Sequence, residues 1–145
     1  MSIKTTLRVH FYDTDTMGVV HHANYIRWFE TGRVEYLRSI GITLTDMMSD
    51  GILFPLTEIQ AKFIHSAKFD EDLELETTAV ELTKVKMEFK YKIRRQSDGE
   101  LLVKGHSQNV FTNTATGKIS RLPEKYFSKM EKAMIEEMAQ KNDSN

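Results

Sequence analysis

The chain has 145 residues, a size that suits one domain with one hydrophobic core. Apolar residues make up 40%, aromatic residues 10% and charged residues 28%, and the net charge of −1 excludes a general field toward nucleic acid or anionic membrane. There is no cysteine, which removes disulfides, thiolate zinc sites and cysteine nucleophiles and fits a reducing, cytoplasmic setting.

The N-terminal MSIKTTLRVH lacks the apolar core of a signal peptide. No apolar run is long enough to span a bilayer, so no integral membrane segment is expected. Residues 1–145 read as one domain, with about 139–145 as a frayed polar tail. The stretch Ile3 to Phe11 is β-branched and apolar and predicts a first strand. The polar packet YDTDTMGVVHHANY, residues 12–25, then breaks that pattern. From about Ala23 to Ile40 the period is helical, with Tyr25, Phe29, Gly32 and Tyr36 on one stripe, extended by Ile26, Leu37 and Ile40. Asn24 is the expected N-cap, Gly41 the C′ stop, and Arg38 suits the negative end of the helix dipole. Arg27/Glu30 and Glu35/Arg38 have the spacing of exposed ion pairs. Gly32 inside this helix costs about 1 kcal/mol relative to alanine, which points to another backbone packed very close to it.

Residues 42–53 read as a short helix or loop, and Thr57 to Ile64 and Leu73 to Leu82 as strands. The run KMEFKYKIRR, residues 86–95, alternates: Met87, Phe89, Tyr91 and Ile93 face one way and Lys86, Glu88, Lys90, Lys92 and Arg94 the other. That is a half-buried antiparallel strand. Its cations and aromatics lie on opposite faces, so a solvated face fits better than a nucleic-acid groove. Asp98-Gly99 is a hairpin signal, Leu101 to Thr112 the returning strand, and Asn113 to Gly117 another turn. Pro123 opens a last helix with Phe127, Met130, Met134 and Met138 roughly on one face. The order predicts an α+β fold: a curved antiparallel sheet packed on one long helix.

The chain contains no G-x-S-x-G, no P-loop, no G-x-G-x-x-G and no H-E-x-x-H. That leaves the packet. Asp13, Asp15, His21 and His22 are ligand types without ligand spacing, so no metal is expected. As a plain polar loop, the packet explains its turn residues but not why carboxylate, glycine and histidine gather before an apolar helix. A catalytic reading uses that position. A helix N-terminus offers free N–H groups to a carbonyl oxygen that gains charge, and a nearby carboxylate can attack the carbonyl carbon or activate water. Gly18 would let a substrate approach the backbone. The set suits acyl transfer to water.

Arg8-Val9 followed by Thr14-Asp15-Thr16-Met17-Gly18-Val19-Val20-His21-His22-Ala23-Asn24-Tyr25 resembles the active-site signature of the 4-hydroxybenzoyl-CoA thioesterase family. Arg27-Trp28-Phe29-Glu30 with Arg33, Glu35 and Leu37 is similar to that family's central helix, and Lys104-Gly105, Val110-Phe111, Gly117-Lys118 and Leu122-Pro123 to its later strands. The resemblance implies a hotdog fold and hydrolysis of a small or medium acyl-CoA, without a cofactor. It also implies a homo-oligomer, a dimer or a tetramer built from dimers, with sites between subunits. Asp15 would be nucleophile or general base, and His22 would orient or polarise the thioester carbonyl beside a backbone oxyanion donor. Gly18, Val19, Val20 and Tyr25 would line the substrate pocket. His21 and Asp13 match no family role, and Asp13 reads as a solvated turn carboxylate. Two alternatives stand beside this reading: a thioesterase acting on acyl-carrier protein, which needs a basic docking surface, and a non-catalytic acyl-CoA-binding protein, which has no need of Asp15.

Overall fold

Period-two alternation becomes a five-stranded antiparallel sheet, and the long period-3.6 stripe becomes the helix it wraps. The computed structural model describes residues 2–143. In chain order the elements are β1 (Ile3–Arg8), α1 (His22–Ser39), α2 (Leu44–Ser49), β2 (Ile52–Leu53), β3 (Leu56–Phe63), β4 (Asp72–Leu82), β5 (Lys86–Arg95), β6 (Leu101–Val110), β7 (Thr112–Asn113) and α3 (Glu124–Asp143). The sheet order is β1-β4-β5-β6-β3, with β2 and β7 forming a separate short ribbon. Among the described residues no helix is long and apolar enough to cross a membrane.

The alternation in β5 is realised as read. Met87, Phe89, Tyr91 and Ile93 are buried, while Lys90 and Lys92 are exposed on the opposite face. The expected first strand is shorter, because Phe11–Asp13 turns into a single 3-10 turn. Helix α1 buries Tyr25, Phe29, Gly32, Tyr36 and Leu37 as the stripe requires, but Ile26 faces outward. At the C-terminal end Gly41 takes φ +81°, the left-handed C′ geometry. Glu35 and Arg38 pair at 3.8 Å. Arg27 reaches Asn24 Oδ1 at 3.5 Å rather than Glu30.

The buried face of α3 is Tyr126, Met130, Ala133 and Glu137, and Met138 is 67% exposed. Of the expected stripe, Met130 is fully buried and Phe127 and Met134 pack partly buried against the core, so only Met138 departs from it; the buried face is centred slightly to one side of that stripe. Both have helical spacing, so periodicity alone does not separate them. Helix α3 extends to Asp143; Ser144 and Asn145 of the expected tail lie outside the described residues.

The contact between α1 and the sheet centres on one cross-strand row. Thr77 of β4, Tyr91 of β5, Gly105 of β6 and Ala61 of β3 stand side by side. The Phe29 ring stacks on Tyr91, centroids 4.4 Å apart and planes 12° apart. A Cβ added to Gly105 would fall onto that Phe29 ring, and one added to Gly32 would fall onto Thr77 Oγ1 and 3.1 Å from Leu75 Cδ2. Gly32 is therefore a clearance residue, but it makes room for the Thr77 and Leu75 side chains rather than for the backbone expected there. Arg33, also buried, donates to Tyr91 Oη at 3.2 Å, and that hydroxyl shares a 2.5 Å hydrogen bond with Ser107. Burial pushes the Tyr91 hydroxyl pKa above its ordinary value, so the network stays protonated.

Gly32→Ala should lower stability by about 1–3 kcal/mol through overpacking, in spite of alanine's better helix propensity. Denaturant unfolding of Gly32→Ala in a Thr77→Ala background should show a smaller loss, because the obstructing hydroxyl is gone. Equal losses in both backgrounds would remove Thr77 as the reason for the glycine.

Candidate active site at the start of helix α1

The packet folds as a tight hairpin followed by a helix start. Gly18 N–H donates to Asp15 O at 3.1 Å, and Asp15 N–H donates to Val19 O at 2.9 Å. Thr14 bridges Val20 across the base. Gly18 at φ +76° has the left-handed residue that closes a three-residue hairpin loop. Nothing lies within 4 Å of a Cβ built there, so the backbone angle, rather than crowding, selects glycine.

The Asp15 side chain is exposed and half engaged. Its Oδ1 accepts the Met17 N–H at 2.8 Å and the Val19 N–H at 3.4 Å. Its Oδ2 has no protein donor among the described residues. One oxygen thus holds the carboxylate in place and the other faces outward. Met17, at the hairpin tip, is 82% exposed.

The helix start differs from the expected one. The N-cap is His21, whose Nδ1 accepts the Ala23 N–H at 3.2 Å, and His22 is the first helical residue. Asn24 lies three positions too deep to be the cap. Instead its Nδ2 donates to Asp13 O at 2.8 Å, across the base of the loop. Asp13 is not the solvated turn carboxylate that its residue type suggested. It is 6% exposed, and its Oδ2 accepts the His10 N–H at 2.8 Å while its O accepts the His21 N–H at 3.0 Å. Asp13 and Asn24 thus tie the strand end, the hairpin and the helix start together, a tertiary role that spacing does not reveal.

His22 is exposed, and among the described residues its backbone N–H has no acceptor in the protein. Its ring lies 4.6 Å from the His21 ring and 5.7 Å from the Phe63 ring, centroid to centroid. Asp15 and His22 stand on either side of the Val19-Val20 segment, and among the described residues no hydrogen bond or ion pair joins their side chains. Val20 is buried and donates its N–H to Ala67 O at 2.9 Å; Val19 bridges Lys68. Tyr25 is buried, accepts the Ala67 N–H at 3.0 Å on its hydroxyl, and packs against Trp28 and Phe63. Burial raises its hydroxyl pKa, so Tyr25 remains protonated and acts as a post holding the β3–β4 loop against α1.

Phe63, Ala67 and Lys68 are the neighbours that sequence reading missed. They reach the loop through strand pairing at long sequence separation, and only the apolar Phe63 at the end of β3 hinted at it. Phe63, Ile64, Phe11 and Phe69 are partly or well exposed, and Phe11 meets Phe69 edge-on at 5.8 Å. His22 therefore sits against the half-exposed Phe63 ring. Among the described residues no group of three or more His, Asp or Glu side chains is arranged to hold a metal ion.

Comparison with known proteins follows the same lines. Residues 9–139 match the model of the thioesterase-like superfamily. A putative esterase from a Synechocystis species is 33% identical over 115 residues, 79% of this chain and 69% of that protein. A putative acyl-CoA thioesterase of Bacillus subtilis is 30% identical over 107 residues, 74% of this chain and 77% of that one. The structure of a DHNA-CoA thioesterase from Staphylococcus aureus superposes with a TM-score of 0.87 at 28% identity, covering 99% of this chain and 95% of that one. With its antiparallel sheet, its long central helix and a match over nearly its whole length, the chain belongs to the thioesterase-like superfamily of hotdog proteins.

Proposed function

We propose that this protein is an acyl-CoA thioesterase, which adds water across a thioester to give a free acid and CoA. The family assignment supports the reaction class. The observation that carries the assignment to this loop is the state of Asp15: one carboxylate oxygen held by backbone N–H groups, the other open, beside a helix start with an unengaged N–H. The thioester carbonyl oxygen would take the His22 N–H at the positive end of α1, with the His22 ring beside it. Asp15 would then attack the carbonyl carbon as nucleophile or take a proton from the attacking water as general base. The CoA sulfur leaves as thiolate and is protonated by solvent; on the nucleophilic route a water then cleaves the mixed anhydride on Asp15, releasing the free acid and restoring the carboxylate. Gly18, Val19, Val20 and Tyr25 shape the wall of the site, and the exposed apolar residues around it favour an apolar acyl group of small or medium size.

The site reads as incomplete in one chain. Strand β3 is a sheet edge with exposed Leu56 and Phe63, and Phe63 meets the His22 ring. Open edges and apolar patches of this kind are normally covered. We infer a homo-oligomer, a dimer or a tetramer built from two dimers, whose subunits meet beside the catalytic loop.

Asp15→Asn keeps a carbonyl oxygen for the Met17 N–H, so the hairpin should persist while kcat falls by about 10²–10⁴-fold. Unimpaired hydrolysis of a good acyl-CoA would remove Asp15 from the mechanism. His22→Ala removes the ring but leaves the N–H, with an expected loss of roughly 10²-fold in kcat. His22→Pro removes the N–H as well. Proline is tolerated at a first helical position, and His21 at φ −67°, ψ 134° already has the extended geometry that precedes proline. Its kcat should fall about 10-fold or more below that of His22→Ala, by the size of a lost oxyanion donor. Equal rates would show that the N–H contributes nothing. Light scattering should give two or four times the 16.8 kDa chain mass; a strict monomer with full activity would refute the shared site.

A further inference from the structure

The face of the sheet turned away from α1 carries charge that the catalytic site does not use. Lys92 of β5 stands opposite Lys104 of β6, and Lys104 opposite Lys62 of β3. Three lysines thus lie in register on adjacent strands, across about 10 Å at ordinary strand spacing. One pleat repeat along, Lys90 stands opposite His106 and His106 opposite Gln60. Like charges placed directly opposite each other are destabilising. Among the described residues none of these four lysines forms an ion pair, although lysines elsewhere on this face do: Lys4 with Glu74 at 3.8 Å and Lys86 with Glu81 at 3.5 Å. The six polar side chains line one hollow of about 400 Å³, floored by the backbone of Tyr91, Gly105 and Ala61.

We propose that this hollow binds a small ligand bearing clustered phosphate groups, such as a nucleotide diphosphate, distinct from the thioester substrate. A row of compact ammonium groups, each with three rotatable donors, suits adjacent phosphoryl groups. The hollow is too small for a protein interface of ordinary size, and the carboxylates on the same face, Glu58, Glu76 and Glu88, lie at its border rather than in its lining. The sheet also separates it from the catalytic loop. Lys62 points into the hollow, whereas its neighbour Phe63 points the other way, onto His22 and Tyr25. The inference stands on this charge arrangement and does not depend on the hydrolase reading.

The test is calorimetric titration of the full chain with inorganic pyrophosphate at low ionic strength. The unmodified protein should bind saturably, Lys92→Gln/Lys104→Gln at least about tenfold more weakly, and Lys92→Arg/Lys104→Arg nearly as well as the original. The glutamine variant should unfold within a few degrees of the original, since it removes the Lys92–Lys104 like-charge pair together with the Lys92–Glu76 opposite-charge pair, and a native unfolding transition would show that weaker binding does not reflect misfolding. No saturable binding, or equal affinity in the glutamine variant, would overturn the site. In the absence of pyrophosphate that variant should keep the KM for an acyl-CoA. A raised KM for the acyl-CoA but not for an acyl-N-acetylcysteamine thioester would assign the hollow to the substrate's own nucleotide and overturn the claim of a separate ligand.

Discussion

The close approach of α1 to the sheet sets the rest of the structure. It is possible because Gly32 leaves room for Thr77 and Gly105 leaves room for the Phe29 ring, which in turn stacks on Tyr91. A side chain at either glycine would lift the helix off the row of β4, β5, β6 and β3 residues beneath it. With the helix held at this height, its first turn falls beside the end of β3. Phe63 can then touch both His22 and Tyr25, and Tyr25 can hold the Ala67 N–H. Packing in the core therefore decides where the helix N-terminus opens onto the surface.

A second set of bonds fixes the loop to that helix. Asp13 and Asn24 join the end of the first strand region, the hairpin and the helix start, and Val20 joins all of them to Ala67. Of the two aspartates, the buried one is therefore structural, and the exposed one is the one proposed for chemistry. A carboxylate whose Oδ1 is held by Met17 while its Oδ2 stays open is oriented without being neutralised. The same division holds for the histidines: His21 caps the helix through its ring, and His22 offers an open N–H and an exposed ring.

Much of this was legible in the amino-acid order. The alternation of residues 86–95 marks β5 at both ends, and Gly41 marks the end of α1. The aspartate, glycine and histidine spacing points to the loop ahead of α1, because those features are local and follow from strand and helix periods. Gly32 was readable as a close approach, though its partner Thr77 was not. What escaped depends on tertiary pairing. Asn24 has the chemistry of a cap but is drawn to Asp13 O. Asp13 has the chemistry of a turn but is buried by His10 and His21. Met138 shares the helical spacing of Met130 but not its burial, because by that turn the buried face of the helix has moved to Glu137.

The most direct measurement is thiol release from a panel of acyl-CoA esters of short, medium, long and aromatic acyl groups, followed together with formation of the free acid. Catalytic turnover on at least one ester, with thiol and acid appearing in equal amounts, is the expected result. Saturable binding of these esters with no release of thiol would contradict it, and would leave a protein that binds acyl-CoA without cutting it.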